Sequence, residues 1–204
     1  LFSGLAGLSL LILTQGNSVA PLLLTIASAI FTLASVMIVL KQPALFTITL
    51  WLAATLWFCG NCLWFWSNNL WGSIPFGLSF LVLTIAGERL ELTRFMKPRP
   101  LARKAFIGLL VLIIVGSAIS ALSGFVENNL LGVGFSGLAI WLLNFDIARK
   151  TIRQTGITRF VAACLLSGYL WLLVGGILLT TMMNTSLGNY QLDAAIHSIA
   201  LGFI

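Results

Sequence analysis

Uninterrupted apolar segments of about twenty residues follow one another along almost the whole chain, and this pattern most constrains its fold. A helix needs about 20 apolar residues to cross the hydrocarbon core of a bilayer. Hydrophobic residues make up 59% of the chain and charged residues 8%, whereas a soluble domain commonly carries about 25% charged residues. The segments do not alternate in polarity as the strands of a membrane barrel do. The chain is therefore predicted to be an all-α, polytopic transmembrane helix bundle.

Turn-forming and helix-breaking residues divide the chain into six complete spans and two partial end segments. No soluble domain fits between the spans, so residues 1–204 are predicted to form a single transmembrane domain. Because both ends fall within apolar segments, we expect the chain to be a fragment of a longer membrane protein. The complete spans are predicted at 19–40, 44–66, 71–92, 103–126, 130–148 and 157–183, and the partial ones at 1–13 and 190–204.

The basic residues all lie in or beside alternate connections between these spans. Lys and Arg near the ends of spans resist translocation, so they mark the cytoplasmic side of the cell membrane. The basic loops 86–104 and 146–159 are therefore predicted to be cytoplasmic. This placement explains the net charge of +6 without a nucleic-acid partner. The predicted partners are the lipid bilayer, other membrane subunits and the remainder of the chain.

Acidic residues accompany the basic ones in both loops. Glu91 can pair with Arg94, and Asp146 with Arg149, because residues three apart are neighbours on a helix surface. This spacing indicates a solvated face that sets the topology. Glu88 lies nearest an apolar run, and below the head groups it would need an Arg partner or a polar cavity.

Tryptophans mark the opposite interface. Trp64, Trp66 and Trp71 flank the polar residues 67–69, which suits an amphipathic indole at the level of the head groups. A membrane anchor is the first interpretation of this cluster, and a wall for a pigment or cofactor is the second.

Small residues within the spans indicate close helix packing. The sequence CGNC at 59–62 has thiol–disulfide spacing, but a thiolate is disfavoured in lipid, and Gly60 and Asn61 favour a helix contact with one interhelical hydrogen bond. Redox chemistry or copper binding is the alternative interpretation. The sequence GVGFSG at 132–137 and the pair at 175–176 are also predicted to be packing faces.

The polar residues most able to carry chemistry lie near the C-terminal end. Tyr190, Asp193 and His197, the only histidine, are spaced three and four residues apart, so they share one face of a helix. A polar stripe in lipid normally turns toward the bundle interior, and we expect the His197 ring to do so. Imidazole is a common haem and metal ligand. His197 bonded to Asp193 as a structural pair or proton relay is the alternative.

Two stretches, LNFDIARKTIRQTGITRFVAACLLSGYLWLLVGGIL (143–178) and DAAIHSIALGFI (193–204), resemble multi-spanning bacterial membrane proteins around the NnrS group. The resemblance implies a haem- or copper-associated protein of the nitric-oxide response, with His197 as the candidate ligand. Only His197 carries over from the resemblance; if it binds a cofactor, Asp193 or Tyr190 on the same helix face would support its ring.

Three hypotheses about function follow from these features. The chain binds a haem or metal redox cofactor through His197 near the extracytoplasmic side, or it is a structural subunit of a larger membrane complex. Alternatively it is a proton-coupled transporter. The sequence contains no P-loop, no Ser/His/Asp set and no paired-carboxylate site, so it leaves open whether the chain is an enzyme.

Overall fold

The computed structural model describes residues 19–93, 100–123, 129–181 and 186–204, and the regular elements within these ranges are all helical. A π-helical segment, Ser198–Phe203, continues directly from the last α-helix. The α-helices are α1 (Val19–Lys41), α2 (Leu45–Ser67), α3 (Leu70–Thr93), α4 (Pro100–Ser123), α5 (Leu130–Phe145), α6 (Ala148–Thr151), α7 (Ile157–Thr180) and α8 (Ser186–His197).

Five of these helices, α1 to α4 and α7, are long and apolar enough to cross a membrane. The prediction of an all-α bundle of apolar helices is therefore confirmed. The prediction of six complete spans is not confirmed. α5 is apolar but has only 16 residues, about 24 Å at 1.5 Å per residue, whereas a span needs about 20 residues. The predicted partial segment 1–13 lies outside the described residues, and α8 with the π-helical segment occupies 190–204.

The helices end where the sequence predicts breaks. α1 ends at Lys41, before Gln42 and Pro43. Asn68 closes α2 in the left-handed conformation, with φ of 52°, which asparagine tolerates better than most residues. α5 stops earlier than predicted because Asp146 is extended, with φ of −72° and ψ of 153°.

The long helices pack mainly against their neighbours in the chain. α1 contacts α2, α2 contacts α3, α3 contacts α4, and α4 contacts α5. α5 then packs on α7 across the short connection that holds α6, and α8 and the π-helical segment cover another face of α7. α3 also touches α5.

Glycines bring the backbones of α5 and α7 into direct contact. A Cβ atom added at Gly132 would lie 2.6 Å from the Thr180 backbone nitrogen, and one added at Gly176 would lie 2.5 Å from Ser136 Oγ. Real side chains do not approach this closely, so only glycine permits this helix separation. The predicted packing faces at 132–137 and 175–176 are thereby confirmed.

Polar side chains inside the bundle bond across helices. Asn61 donates to Ser28 Oγ on α1 at 3.1 Å, so the predicted interhelical hydrogen bond is confirmed. A Cβ atom at Gly60 would lie 2.7 Å from Phe76 Cβ on α3, which confirms the predicted close contact. Ser79 and Ser117 share a buried hydrogen bond of 2.6 Å between α3 and α4. These contacts keep polar groups off the apolar exterior, where they would have no partner.

The exterior of the helices is largely apolar. Of the most apolar stretch of α1, only 11% is buried inside the protein, and many large aliphatic side chains along the other helices are also exposed. Trp66 and Trp71 lie exposed beside the α2–α3 turn, where an interfacial anchor is predicted. Such a surface is compatible with a membrane-embedded protein, because lipid can solvate it and water cannot.

The contact between α5 and α7 predicts opposite effects for two glycine substitutions. Gly176→Ala should destabilise the protein by about 1–3 kcal/mol, because the new methyl group overlaps Ser136. Gly108→Ala on α4 is the matched control, because its Cβ atom would have no atom of the described residues within 4 Å. The control should stabilise the helix by roughly 0.5–1 kcal/mol. Unfolding in mild detergent measures both changes, and equal effects would contradict the packing described.

Candidate functional site

The three residues predicted to form the site, Tyr190, Asp193 and His197, do lie together on α8, but they point outward. Tyr190 is 76% exposed, and the side chains of His197 and Asp193 are 59% and 74% exposed. The expectation that the His197 ring faces the bundle is therefore wrong. Ala195 and Ile199 are fully buried, so the apolar side of this segment packs on α7 and the polar stripe faces away.

The His197 ring is nevertheless held in one orientation. Its Nδ1 atom lies 2.8 Å from the Asp193 carbonyl oxygen and 3.3 Å from Asp193 Oδ1. An imidazole held through Nδ1 presents Nε2 outward, as metal-bound histidines often do. Within the described part of the chain, however, no group of three or more His, Cys, Asp or Glu residues could hold a metal ion.

A second polar cluster lies inside the bundle, at the end of α5. Asp146 is only 2% exposed, although the sequence pattern indicates a solvated residue paired with Arg149. That prediction is wrong, because Arg149 is exposed while the carboxylate turns inward. Tyr169 donates a hydrogen bond to Asp146 Oδ2 at 2.6 Å, and the Ala148 backbone N–H approaches the same oxygen at 3.4 Å.

Tyr169 reaches this carboxylate from the middle of α7. Side chains on a helix tilt toward its N-terminus, and the N-terminal end of α7 lies beside the end of α5 because the two helices run antiparallel. Tyr169 is fully buried, and the ring of Phe203 lies 6.2 Å away. Gly168 lets the backbone of the π-helical segment approach, since a Cβ atom there would lie 3.3 Å from the Phe203 carbonyl oxygen.

Arg89, near the end of α3, lies within electrostatic range of Tyr169, but it forms no ion pair with Asp146 among the residues that the structure describes. Its charge and that of Asp146 both act on the Tyr169 hydroxyl. The Nε atom of Arg89 and the Oδ1 atom of Asp146 are both buried, and neither has a hydrogen-bond partner among the residues that the structure describes. The cluster thus joins a carboxylate and a phenol by a hydrogen bond, with a guanidinium nearby, and one acceptor atom and one donor atom of these groups are buried without a partner in the described part of the chain.

The carboxylates on α3 lie outside this cluster. Glu88 and Glu91 are both exposed, so Glu88 does not occupy the buried position that its neighbouring apolar run suggests. Neither forms an ion pair with a described residue, and the predicted pairing of Glu91 with Arg94 lies outside the described residues.

The sequence does contain signals for the buried cluster. Val82 and Ala86 are fully buried on α3. Arg89 lies seven residues after Val82 and three residues after Ala86, so it falls on the same face of the helix. Tyr169 is a phenol in the middle of a long apolar segment, where a polar group needs a partner. The burial of Asp146 could not be predicted from the sequence, because the basic residues that follow it indicate a solvated position.

A cavity of about 420 Å³ lies between α2 and α3, at the opposite end of α3 from Arg89. Its walls are mainly aromatic and aliphatic, and Asn61 and Ser73 contribute the polar atoms. Trp57 and Phe80, which line it, stack at 4.9 Å between ring centroids. The buried carboxylate does not line this cavity, so the two features are separate.

The hydrogen bond between Tyr169 and Asp146 predicts energetic coupling between them. Tyr169→Phe should destabilise the protein by about 1.5–3 kcal/mol, because it removes a hydrogen bond to a buried carboxylate. The same substitution should cost less in an Asp146→Asn background, where no charge remains to be stabilised. Unfolding of the wild type, the two single variants and the double variant in one detergent gives the coupling free energy. Additive effects of the two substitutions on the free energy of unfolding would contradict a direct charged interaction.

Comparison with known proteins identifies a family for the chain but no characterised relative. No curated protein and no solved structure matches it. The family model described as "Domain of unknown function (DUF8744)" matches residues 1–204. Because the match covers the whole sequence given, the chain belongs to the DUF8744 family.

Proposed function

We propose that the chain is an integral membrane protein that translocates protons through the cluster of Asp146, Tyr169 and Arg89. The apolar exterior and the five long helices support membrane embedding. The alternation of basic connections supports an orientation with loops 86–104 and 146–159 in the cytoplasm of the cell. In this orientation Asp146 and Arg89, at the helix ends that open onto these two loops, place the cluster at the cytoplasmic end of the bundle.

The observation that carries this proposal is the buried carboxylate with one oxygen held and the other unpartnered. An ionisable residue that is buried at the end of a membrane bundle is expensive to keep unless it pairs with another group, and buried ionisable residues of membrane proteins often serve ion or proton pathways. Asp146 therefore has one oxygen bonded to Tyr169 and one buried oxygen without a partner among the described residues, at which it would accept a proton.

The neighbouring groups suit a proton carrier. When Asp146 is ionised, the Tyr169 hydroxyl donates to it, and the charge of Arg89 reaches the same hydroxyl. When Asp146 gains a proton at Oδ1, the net charge of the cluster rises by one, and the hydrogen bond from Tyr169 weakens because its acceptor is neutral. The phenol is then able to turn toward another acceptor. Alternating between these states would let the carboxyl group take up and release protons at opposite sides of the cluster.

Proton flux into liposomes tests the proposal. Full-length protein reconstituted into vesicles with an internal pH dye should acidify the lumen under an imposed negative-inside potential faster than protein-free vesicles. Asp146→Asn should abolish the added flux, since an amide does not exchange a proton in this way, and Tyr169→Phe should reduce it roughly 10-fold or more.

Glu91→Gln is the matched control for proton flux. It also neutralises one carboxylate, but at an exposed position, so it should retain the wild-type flux. Flux equal to that of protein-free vesicles, or flux that survives Asp146→Asn, would overturn the proposal.

A haem or copper cofactor bound through His197 is a second candidate function. The held Nδ1 atom favours it, as does the resemblance to the NnrS group. Asp193 would orient the ring, and Tyr190 lies on the same exposed face. Because this face points away from the described bundle, the cofactor would sit at its edge, and a second ligand would come from another segment or subunit.

An optical spectrum of the full-length protein after addition of haem tests this second candidate. Binding through His197 predicts a Soret band that is lost in His197→Ala and retained in Tyr190→Phe. A spectrum identical for the wild-type and His197→Ala proteins would exclude His197 as the haem ligand.

A further inference from the structure

Basic side chains from three separate elements project from one end of the bundle. Two lie near the start of α4, two lie on α6, and two flank the start of α7. All six side chains are exposed. These residues, here named the basic surface, are Arg103, Lys104, Arg149, Lys150, Arg153 and Arg159.

Contacts near the end of α5 hold these elements together. Trp141 on α5 donates a hydrogen bond to the Ala102 carbonyl oxygen at 2.8 Å, and its ring lies 4.9 Å from that of Phe106. These contacts fix the first turn of α4 against the end of α5. α6 begins two residues after α5 and packs on α7, with Ala148 fully buried. The basic surface is therefore one region rather than three scattered groups.

Acidic side chains of the described residues form no ion pair with the basic surface, and the exposed Glu88 and Glu91 on α3 also remain unpaired. In residues 100–123 and 146–180 the only carboxylate is Asp146, which is buried and bonded to Tyr169. Arg103 and Lys104 also lie near the positive end of the α4 dipole, where a cation is unfavourable. An anion beside them would relieve both kinds of repulsion.

Exposed apolar side chains are interspersed with these cations. Leu101 is 80% exposed, Ile157 is 82% exposed and Phe160 is 69% exposed. Arg103 and Arg159 lie within two residues of them in the sequence. A free anion or a soluble acidic partner would satisfy the charges and leave the apolar groups in water. An anionic phospholipid satisfies both, because its phosphate binds cations while its acyl chains cover the adjoining apolar groups.

We propose that the basic surface binds the head groups of anionic phospholipids, with phosphatidylglycerol as the probe. The inference rests on the proposed membrane embedding and is independent of proton translocation. Arg side chains can bind phosphate oxygens in a bidentate manner, and Lys adds a mobile charge. Lipids of this class should therefore bind selectively and stabilise the end of the bundle at which α4, α6 and α7 meet.

Thermal unfolding of the full chain in a neutral detergent tests this selectivity. Added phosphatidylglycerol should raise the unfolding midpoint, whereas phosphatidylcholine and inorganic phosphate at equal concentration should not. The increase should shrink at high salt, since exposed charges are screened. Equal stabilisation by both lipids would overturn the proposal, and stabilisation by inorganic phosphate alone would assign the surface to a free anion instead.

Variants locate the binding surface. Arg103→Gln/Lys104→Gln/Arg149→Gln/Lys150→Gln should weaken the apparent affinity for phosphatidylglycerol by at least about 10-fold. If this variant does not fold, Arg103→Gln/Lys104→Gln and Arg149→Gln/Lys150→Gln should each lose part of the stabilisation by phosphatidylglycerol. Arg103→Lys/Arg149→Lys keeps the charge, and Lys41→Gln changes a cation on α1, so both should retain lipid selectivity. Full retention by the charge-removed variants would contradict the assignment.

Discussion

A carboxylate in an apolar helix bundle needs a partner for its charge, and the hydroxyl of Tyr169 is the partner that Asp146 has in this structure. The interaction connects the end of α5 with the middle of α7. It also occurs where the chain leaves helical geometry and turns into the connection that carries α6. Arg89, near the end of α3, lies within electrostatic range of the Tyr169 hydroxyl. The inward turn of one acidic side chain thus joins two helices by a hydrogen bond and brings their polar groups near a third.

Close packing makes this interaction geometrically possible. Gly132 and Gly176 allow the backbones of α5 and α7 to touch, which places the C-terminal end of α5 within reach of the Tyr169 side chain. A wider helix separation would lengthen a hydrogen bond of 2.6 Å beyond a useful distance. The small residues therefore do more than fill the interface. They set the separation at which a buried acid can be held, so packing and electrostatics depend on the same two helices.

The sequence predicts most of the helical architecture because its apolar segments are long and its breaks are strong. Gln42-Pro43 and Asn68 end helices as expected, and Gly60 with Asn61 makes the predicted contacts. Helix length is less predictable at α5. The largely apolar character of the segment up to Phe145 does not reveal that the next residue turns inward and leaves the helix.

The site is harder to predict because a polar pattern does not show which side of a helix is covered. Asp193 and His197 share a face as their spacing requires, yet the packing of Ala195 and Ile199 on α7 turns that face outward. Asp146 shows the opposite difference between prediction and structure. Its basic neighbours suggest a solvated position, and only the tertiary contact with Tyr169 shows it to be buried. Local spacing determines which residues are neighbours, whereas helix packing determines which of them meet lipid, water or one another.

The central claim is that Asp146 is a buried group that exchanges protons, and infrared difference spectroscopy of the lipid-embedded full chain tests it most directly. Spectra recorded at acidic and alkaline pH contain bands from every carboxyl group that changes its protonation. The account predicts a protonated-carboxyl band that is absent from Asp146→Asn and shifted in Tyr169→Phe, which removes the hydrogen bond. Glu91→Gln should leave that band in place. A set of bands that is unchanged by Asp146→Asn would show that Asp146 does not exchange protons, and would contradict the account.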